Sequence, residues 1–148
     1  MRILMLAILT TIVFVSCSKD DTPSATQKEI QLTKRSWKIT SLTTKKVNAP
    51  NEDSSIIKPC NADDILLFRS DRRFLFKDST LICDSTLFQY DQGTWAFNSG
   101  ETSLLLDGQK RDQKWNIVSF NDSLLKVTWY DSTSSEHKLL KTIVFSNK

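Results

Sequence analysis

Apolar and polar residues alternate over short segments along most of this chain, and no segment sustains a long helical period. Alternation with a period of two predicts strands that bury one face. The eight segments with this pattern are 37–44, 65–69, 73–77, 94–98, 103–106, 113–120, 123–131 and 139–146. Before them, residues 27–35 predict a helical turn or two that directs Ile30 and Leu32 toward the core.

The connections between these segments are mostly too short for crossovers. Asp107-Gly108 and Asn121-Asp122 favour tight hairpins because these residues tolerate positive φ at low cost. Residues 45–59 predict a long loop, since they include Pro50 and Pro59. Strands that each follow their predecessor close most easily into a barrel, which removes exposed sheet edges. The sequence therefore predicts an all-β fold: an up-and-down antiparallel β-barrel of about eight strands, with a short N-terminal helical turn.

The register of the hairpin at 65–77 can be predicted from its apolar residues. Leu66, Phe68, Phe74 and Phe76 share one face when Leu66 opposes Phe76 and Phe68 opposes Phe74. The charged residues then fall on the other face, as a half-buried antiparallel hairpin requires.

Large aromatic side chains dominate the predicted interior. The inward candidates are Trp37, Ile39, Leu66, Phe68, Phe74, Phe76, Trp95, Phe97, Leu104, Leu106, Trp115, Ile117, Leu125, Val127 and Trp129. An eight-stranded barrel is wide enough to be filled by side chains or to hold one small ligand. The candidates for lining a ligand site are Trp37, Phe68, Phe74, Phe76, Trp95, Phe97, Trp115 and Trp129. The alternative is that most of these rings only pack the core.

Residues 1–16 have the features of a secretory signal peptide, with Arg2 followed by an apolar run too short to span a bilayer stably. The segment Phe14-Val15-Ser16-Cys17 resembles a bacterial lipobox, with Phe14 in place of the usual leucine. That resemblance implies cleavage before Cys17, acylation of its thiol and attachment to a membrane. The alternative is an ordinary signal peptide with an unrelated cysteine.

The polar residues 17–27 predict a flexible tether. Lys19-Asp20-Asp21 resembles the export signal of Bacteroidota lipoproteins, which implies an outer-membrane lipoprotein displayed at the cell surface. The periplasmic leaflet is the alternative. Removing residues 1–16 from 148 leaves 132, enough for one domain at 28–148.

Charge and cysteine content limit the partners. The formal net charge is +3, and basic and acidic residues are interspersed, so we expect no nucleic-acid partner. If Cys17 is lipidated, Cys60 and Cys83 are left to form a disulfide in an oxidising compartment. Two thiols and one distant histidine do not complete a tetrahedral metal site.

Candidate catalytic groups are few. His137 is the only histidine, and it lies beside a polar turn, where a solvated role fits better than a catalytic one. Asp63, Asp64 and Asn61 offer too few oxygens for calcium, so capping a turn or strand is the preferred role. Three glycines leave no phosphate-binding loop. We therefore predict no enzyme, no metal site and no cofactor.

Several short motifs together resemble the lipocalin-like domain of Bacteroidota lipoproteins, over nearly the whole mature chain. They are Leu32-x4-Trp37, Cys60-x2-Asp63-Asp64, Phe68-x2-Asp71-x2-Phe74, Cys83, Gly93-x-Trp95, Leu104-x-Leu106, Trp115-x-Ile117 and Leu125-x-Val127-x-Trp129. In the hairpin, Arg72 stands where the family has glycine, although arginine does not readily take positive φ.

The resemblance implies a barrel that binds a small hydrophobic or amphipathic ligand without catalysis. The alternative is a surface module that contacts a protein or glycan through its loops, with a filled core and no cavity. A cavity of roughly 300 Å³ or more would favour the first.

Overall fold

A computed structural model describes residues 24–47, 53–55, 57–77, 80–81, 91–131 and 139–147. It contains one α-helix, one 3₁₀ helix and nine strands within those residues. They are α1 (Gln27–Thr33), β1 (Ser36–Lys46), β2 (Asp53–Ser55), η1 (Pro59–Asn61), β3 (Ile65–Phe68), β4 (Arg73–Lys77), β5 (Asp91–Phe97), β6 (Ser103–Gly108), β7 (Asp112–Phe120), β8 (Leu124–Asp131) and β9 (Leu139–Asn147).

Eight of the strands form a closed antiparallel up-and-down barrel. From β3 to β9 each strand pairs with the next, and β1 joins the two ends by pairing with β3 and β9. The remaining strand, β2, lies in the segment predicted as a loop and pairs with the second half of β1. The predicted fold class is confirmed, and the predicted register of the β3–β4 hairpin is confirmed by the pairs Leu66 with Phe76 and Phe68 with Phe74.

Two β-bulges change which residues point inward. The β1–β9 register shifts between Ile39 and Ser41, and the β7–β8 register shifts between Ile117 and Ser119. Side chains alternate between the two faces of a strand. One extra residue at a bulge therefore exchanges the inward and outward positions in the rest of the same strand. Leu42 and Phe120 therefore pack against the core although neither belongs to the predicted inward set.

The predicted inward residues all lie in the core or pack against it. Those buried in it are Trp37, Ile39, Leu66, Phe68, Phe74, Trp95, Leu104, Leu106, Trp115, Leu125 and Val127. The half-buried ones are Phe76, Phe97, Ile117 and Trp129. The core also contains Leu32, Ile143 and Phe145.

Helix α1 covers one end of the barrel, which we call the filled end. It begins with a capping box in which Thr26 and Glu29 bond to each other's backbone N–H groups. Leu32 is fully buried, and its carbonyl oxygen accepts a hydrogen bond of 3.0 Å from the Trp37 indole. Ile30 is 47% exposed, so the prediction that it points to the core is wrong. The helix is one short segment against a barrel end, and only one side of it finds apolar neighbours.

Two hairpin turns differ from the backbone conformation that the sequence predicts. Neither Asp107-Gly108 nor Asn121-Asp122 has positive φ, so that expectation is wrong for both pairs, although both hairpins are short, with turns at 109–111 and 121–123. Gly108 instead ends β6 where the chain passes close to its neighbours: a Cβ there would lie 2.5 Å from Asp91 Oδ2 and 2.7 Å from the Arg111 carbonyl oxygen. At the next hairpin, Asn121 shapes the turn with its side chain, which accepts from the N–H groups of Ser123 and Leu124.

Candidate functional site

The end of the barrel opposite α1, which we call the mouth, opens into an interior cavity of about 480 Å³. The short turn between β6 and β7 lies at the mouth, as do η1 and the C-terminal ends of β4 and β8. The wall of the cavity is mainly apolar and is formed by Ile39, Leu42, Leu66, Phe74, Phe76, Leu106, Trp115, Trp129, Ile143 and Phe145. The volume is in the range of small-molecule sites.

Three aromatic rings form the largest feature of this wall. Trp115 stacks on Trp129 at 5.9 Å between ring centroids and on Phe145 at 5.8 Å, with interplanar angles of 30° and 29°. The Trp115 indole donates a 2.6 Å hydrogen bond to the Gln113 side chain, which satisfies its only polar atom. Trp129 is half-buried, so part of it is open to contact with a ligand.

Polar side chains gather where the cavity reaches solvent. They are Asn61, Asp64, Asp91, Lys110, Arg111, Gln113 and Lys141. Lys110 and Arg111 are exposed, whereas the Asp64 residue is only 1% exposed. Lys141 forms an ion pair of 2.5 Å with Asp131, the last residue of β8. The cavity thus has an apolar interior and a charged rim, which suits a molecule with one apolar and one polar part.

The sequence-predicted lining residues divide between the two ends. Four of them line the cavity: Phe74, Phe76, Trp115 and Trp129. The other four pack at the filled end, where Trp95 makes edge contacts with Phe68 and Phe97, and Trp37 lies 5.9 Å from Phe120. Alternation placed all eight inside the barrel but carried no information about height along its axis.

The filled end is closed by polar contacts as well as by rings. Arg72 forms an ion pair with Glu29 of α1, and its guanidinium lies 4.8 Å from the centre of the Trp95 ring. The Trp95 indole donates to the carbonyl oxygen of Arg69 at 3.1 Å. Arg72 has a φ of 65°, so the turn keeps the glycine-like conformation with an arginine whose side chain is anchored.

The acidic pair next to Cys60 has a structural role. Asp63 Oδ2 accepts hydrogen bonds from the backbone N–H groups of Thr80 and Leu81, at 2.8 and 3.1 Å. Burial raises the pKa of Asp63, but the hydrogen bonds from Thr80 and Leu81 outweigh it, so this pKa lies below its usual value of 3.8. Asp64 accepts from the Asn61 amide at 3.4 Å and lines the cavity.

Other concave surfaces lie outside the barrel. One, on the outer face of β5, β6 and β7, includes Thr94, Ala96 and Leu105 and encloses about 410 Å³. Another of about 540 Å³ lies beside α1, next to Glu29 and Arg72. Their walls include many exposed side chains, so neither combines an apolar interior with a polar rim as the interior cavity does.

Several predicted features fall outside the described residues. They are the signal peptide at 1–16, Cys17, Lys19, Asp20, Asp21, Cys83 and His137. The lipid anchor and the Cys60–Cys83 disulfide therefore stay predictions. Among the described residues, no helix is long and apolar enough to cross a membrane, and no three His, Cys, Asp or Glu side chains are grouped to hold a metal ion.

Comparison with known proteins agrees with the barrel. No curated protein sequence matches the chain significantly. The family model of the lipocalin-like domain matches residues 34–127, from the end of α1 into β8 and more than half of the chain. The chain therefore belongs to the lipocalin-like domain family.

Proposed function

We propose that this protein is a cell-envelope lipoprotein whose barrel binds a small amphipathic molecule and catalyses no reaction. The observation that carries the proposal is the interior cavity of about 480 Å³, apolar within and charged at its rim. This volume exceeds the roughly 300 Å³ at which small-molecule sites begin. Lipocalin-like proteins are typically non-enzymatic binding proteins, which supports the same function.

The stacked rings of Trp115, Trp129 and Phe145 favour binding by apolar contact. Rings gain from offset or edge contact with a ligand and have few rotatable bonds to immobilise, so ordering them costs little entropy. The partly exposed Trp129 would contact the ligand near the rim. The alternative of an interaction module depended on a filled core, and the cavity disfavours it.

Native mass spectrometry of the protein purified from its own cells tests the binding function. We expect a co-purifying small-molecule mass, which Ile143→Phe would remove because Ile143 is 5% exposed and lines the cavity. Leu105→Phe is the matched control: it makes a similar increase in size on the outer face, at a residue 42% exposed. Absence of any bound mass, together with failure to bind a neutral apolar dye, would contradict the proposal.

Labelling with palmitate tests the membrane attachment. We expect incorporation in the natural chain and none in Cys17→Ala, because the proposed acylation uses that thiol. Label that persists in Cys17→Ala would refute the anchor.

Surface biotinylation of intact cells tests the outward display. Replacement of Lys19, Asp20 and Asp21 by alanine is expected to reduce labelling without reducing palmitate incorporation. Equal surface labelling of both forms would contradict the role of this segment and favour the periplasmic leaflet.

A further inference from the structure

The β6–β7 turn, residues 109–111, is fixed at the rim by its contacts with the start of β5. The Gln109 N–H donates to the Gln92 carbonyl oxygen at 2.9 Å, and the Lys110 N–H donates to Asp91 Oδ1 at 3.2 Å. The side chains of Gln92 and Gln109 also hydrogen-bond, at 3.2 Å. Asp91 Oδ1 accepts from the Gln92 N–H as well, at 2.9 Å. Three hydrogen bonds therefore join this turn to β5, and the fourth orients Asp91 within β5.

Gly108 lets the turn lie against Asp91. A Cβ at this position would lie 2.5 Å from Asp91 Oδ2 and 2.7 Å from the Arg111 carbonyl oxygen, so a side chain there would displace the Asp91 carboxylate and the backbone of the turn. The turn thus presents Lys110 and Arg111 at the mouth from a backbone that is ordered before a ligand arrives. Such preorganisation lowers the entropy cost of binding.

The charged side chains at the rim differ in the ion pairs and hydrogen bonds that they make within the protein. Lys141 is paired with Asp131, and the carboxylates of Asp91 and Asp64 accept hydrogen bonds from the protein itself. The Arg111 guanidinium, in contrast, makes no ion pair or hydrogen bond with any residue in the described part of the chain. Arginine presents five N–H donors, in a geometry that matches carboxylate, sulfate or phosphate.

We propose that the mouth selects amphiphiles with an anionic head group, which Arg111 binds while the apolar tail enters the cavity. The inference rests on the proposed ligand-binding function and adds the charge of the ligand to it. Lys110 lies next to Arg111 on the same turn. The carboxylates of Asp64 and Asp91 already accept hydrogen bonds from other groups of the protein.

Displacement of a neutral dye, N-phenylnaphthylamine, by three amphiphiles with the same tail tests the proposal. The probes are dodecanoate, dodecanol and dodecyltrimethylammonium, each below its micelle concentration. The full chain with Cys17→Ala serves as the protein, so that no attached acyl group competes. We expect dodecanoate to bind about tenfold tighter than dodecanol, from charge-assisted hydrogen bonds, and the cation to bind more weakly than dodecanol.

Arg111→Gln is expected to remove most of the preference for dodecanoate while leaving dodecanol affinity unchanged. Lys114→Gln is the matched control, because Lys114 is exposed on β7 three residues away and does not line the cavity. Its preference for dodecanoate should equal that of the parent. Equal binding of the three probes to the parent, or an unchanged preference in Arg111→Gln, would overturn the proposal.

The dye separates this inference from the ligand-binding function on which it rests. Failure of the dye and of all three amphiphiles to bind would reject the binding function itself. Binding of the dye and of dodecanol without a preference for dodecanoate would leave that function standing and reject only the selection for an anion.

Discussion

The filled end and the mouth of this barrel are built from the same strands but differ in what occupies the space between them. At the filled end, Trp37, Phe68 and Trp95 occupy the interior and α1 covers it. At the mouth, other inward residues of these strands, including Phe74 and Trp115, surround a cavity of about 480 Å³ with a charged rim. One sheet therefore carries a packed core and a candidate binding site at different heights.

The connections between strands also differ in length between the two ends. Those at the filled end are short, at residues 69–72, 98–102 and 121–123. At the mouth, the end of one strand and the start of the next are farther apart in sequence between β1 and β3, β4 and β5, and β8 and β9, and only β6 and β7 are joined by a short turn, at 109–111. Loops carry function when a rigid scaffold positions them. We infer that the packed rings of the filled end supply stability, which leaves the mouth free to vary.

The largest expected effect follows from removing a ring at the filled end. Trp95 is 2% exposed and touches Phe68, Phe97 and Arg72, so Trp95→Ala should lower the free energy of unfolding by about 3–5 kcal/mol. Trp129→Ala at the half-buried mouth position should cost only about 1–2 kcal/mol. Urea unfolding measures both. Equal losses would contradict the division of the barrel into two ends.

The predicted disulfide would stabilise the mouth, because Cys60 lies in η1. On the chain-entropy model, linking Cys60 to Cys83 contributes about 3.5 kcal/mol. In the Cys17→Ala background, Cys83→Ser should lose about that much, and the parent should lose the same amount on reduction. A double variant with Cys60→Ser and Cys83→Ser should be insensitive to reductant. Two reactive thiols in the unreduced, unfolded parent would contradict the bond.

How much the sequence could predict also differs along the barrel. Alternation was sufficient for the register of β3 with β4, since both strands are regular and each has two apolar residues on one face. It failed at Leu42 and Phe120, because the bulges before them depend on pairing with β9 and β8 and have no signal in their own strands. The core residues Ile143 and Phe145 lie in a predicted strand, but their burial follows from its pairing with β1, which closes the barrel.

The site was harder to predict than the fold. Aromatic residues occur at both ends, so the sequence could not separate Trp115 and Trp129 of the cavity wall from Trp37 and Trp95 of the packed end. Arg111 had no distinguishing motif. Arg111 is a candidate for binding a ligand because the β6–β7 turn places it at the rim, where it makes no ion pair with any described residue.

Two substitutions at Arg72 separate the contribution of its side chain at the filled end from the cost of its positive φ. Arg72→Gly removes the ion pair with Glu29 and the contact with Trp95, but it also relieves the cost of a φ of 65°. Arg72→Ala loses the same contacts and keeps that cost. We expect Arg72→Ala to be less stable than Arg72→Gly by about 1 kcal/mol in urea unfolding. The reverse order would show that the turn leaves its positive φ when the arginine is removed.

The smallest expected effect is on stability at low pH, through Asp63 at the mouth. The pKa of Asp63 is lower in the folded protein than the usual 3.8, because the N–H groups of Thr80 and Leu81 bond the charged form more than burial disfavours it. A lowered folded pKa stabilises the protein above the unfolded pKa, and this contribution is lost as pH falls through the folded value.

Asp63→Asn should therefore lower stability at about pH 7 and reduce the further loss as pH falls below about 4. The amide proton shifts of Thr80 and Leu81 should titrate with Asp63 in the parent and not in the variant. Asp71→Asn, at an exposed carboxylate of the filled end, is the control and should leave those two amide titrations unchanged. Amide shifts of Thr80 and Leu81 that titrate alike in the parent and Asp63→Asn would mean that another carboxylate holds this segment, and that the acid-sensitive contact at the mouth lies elsewhere.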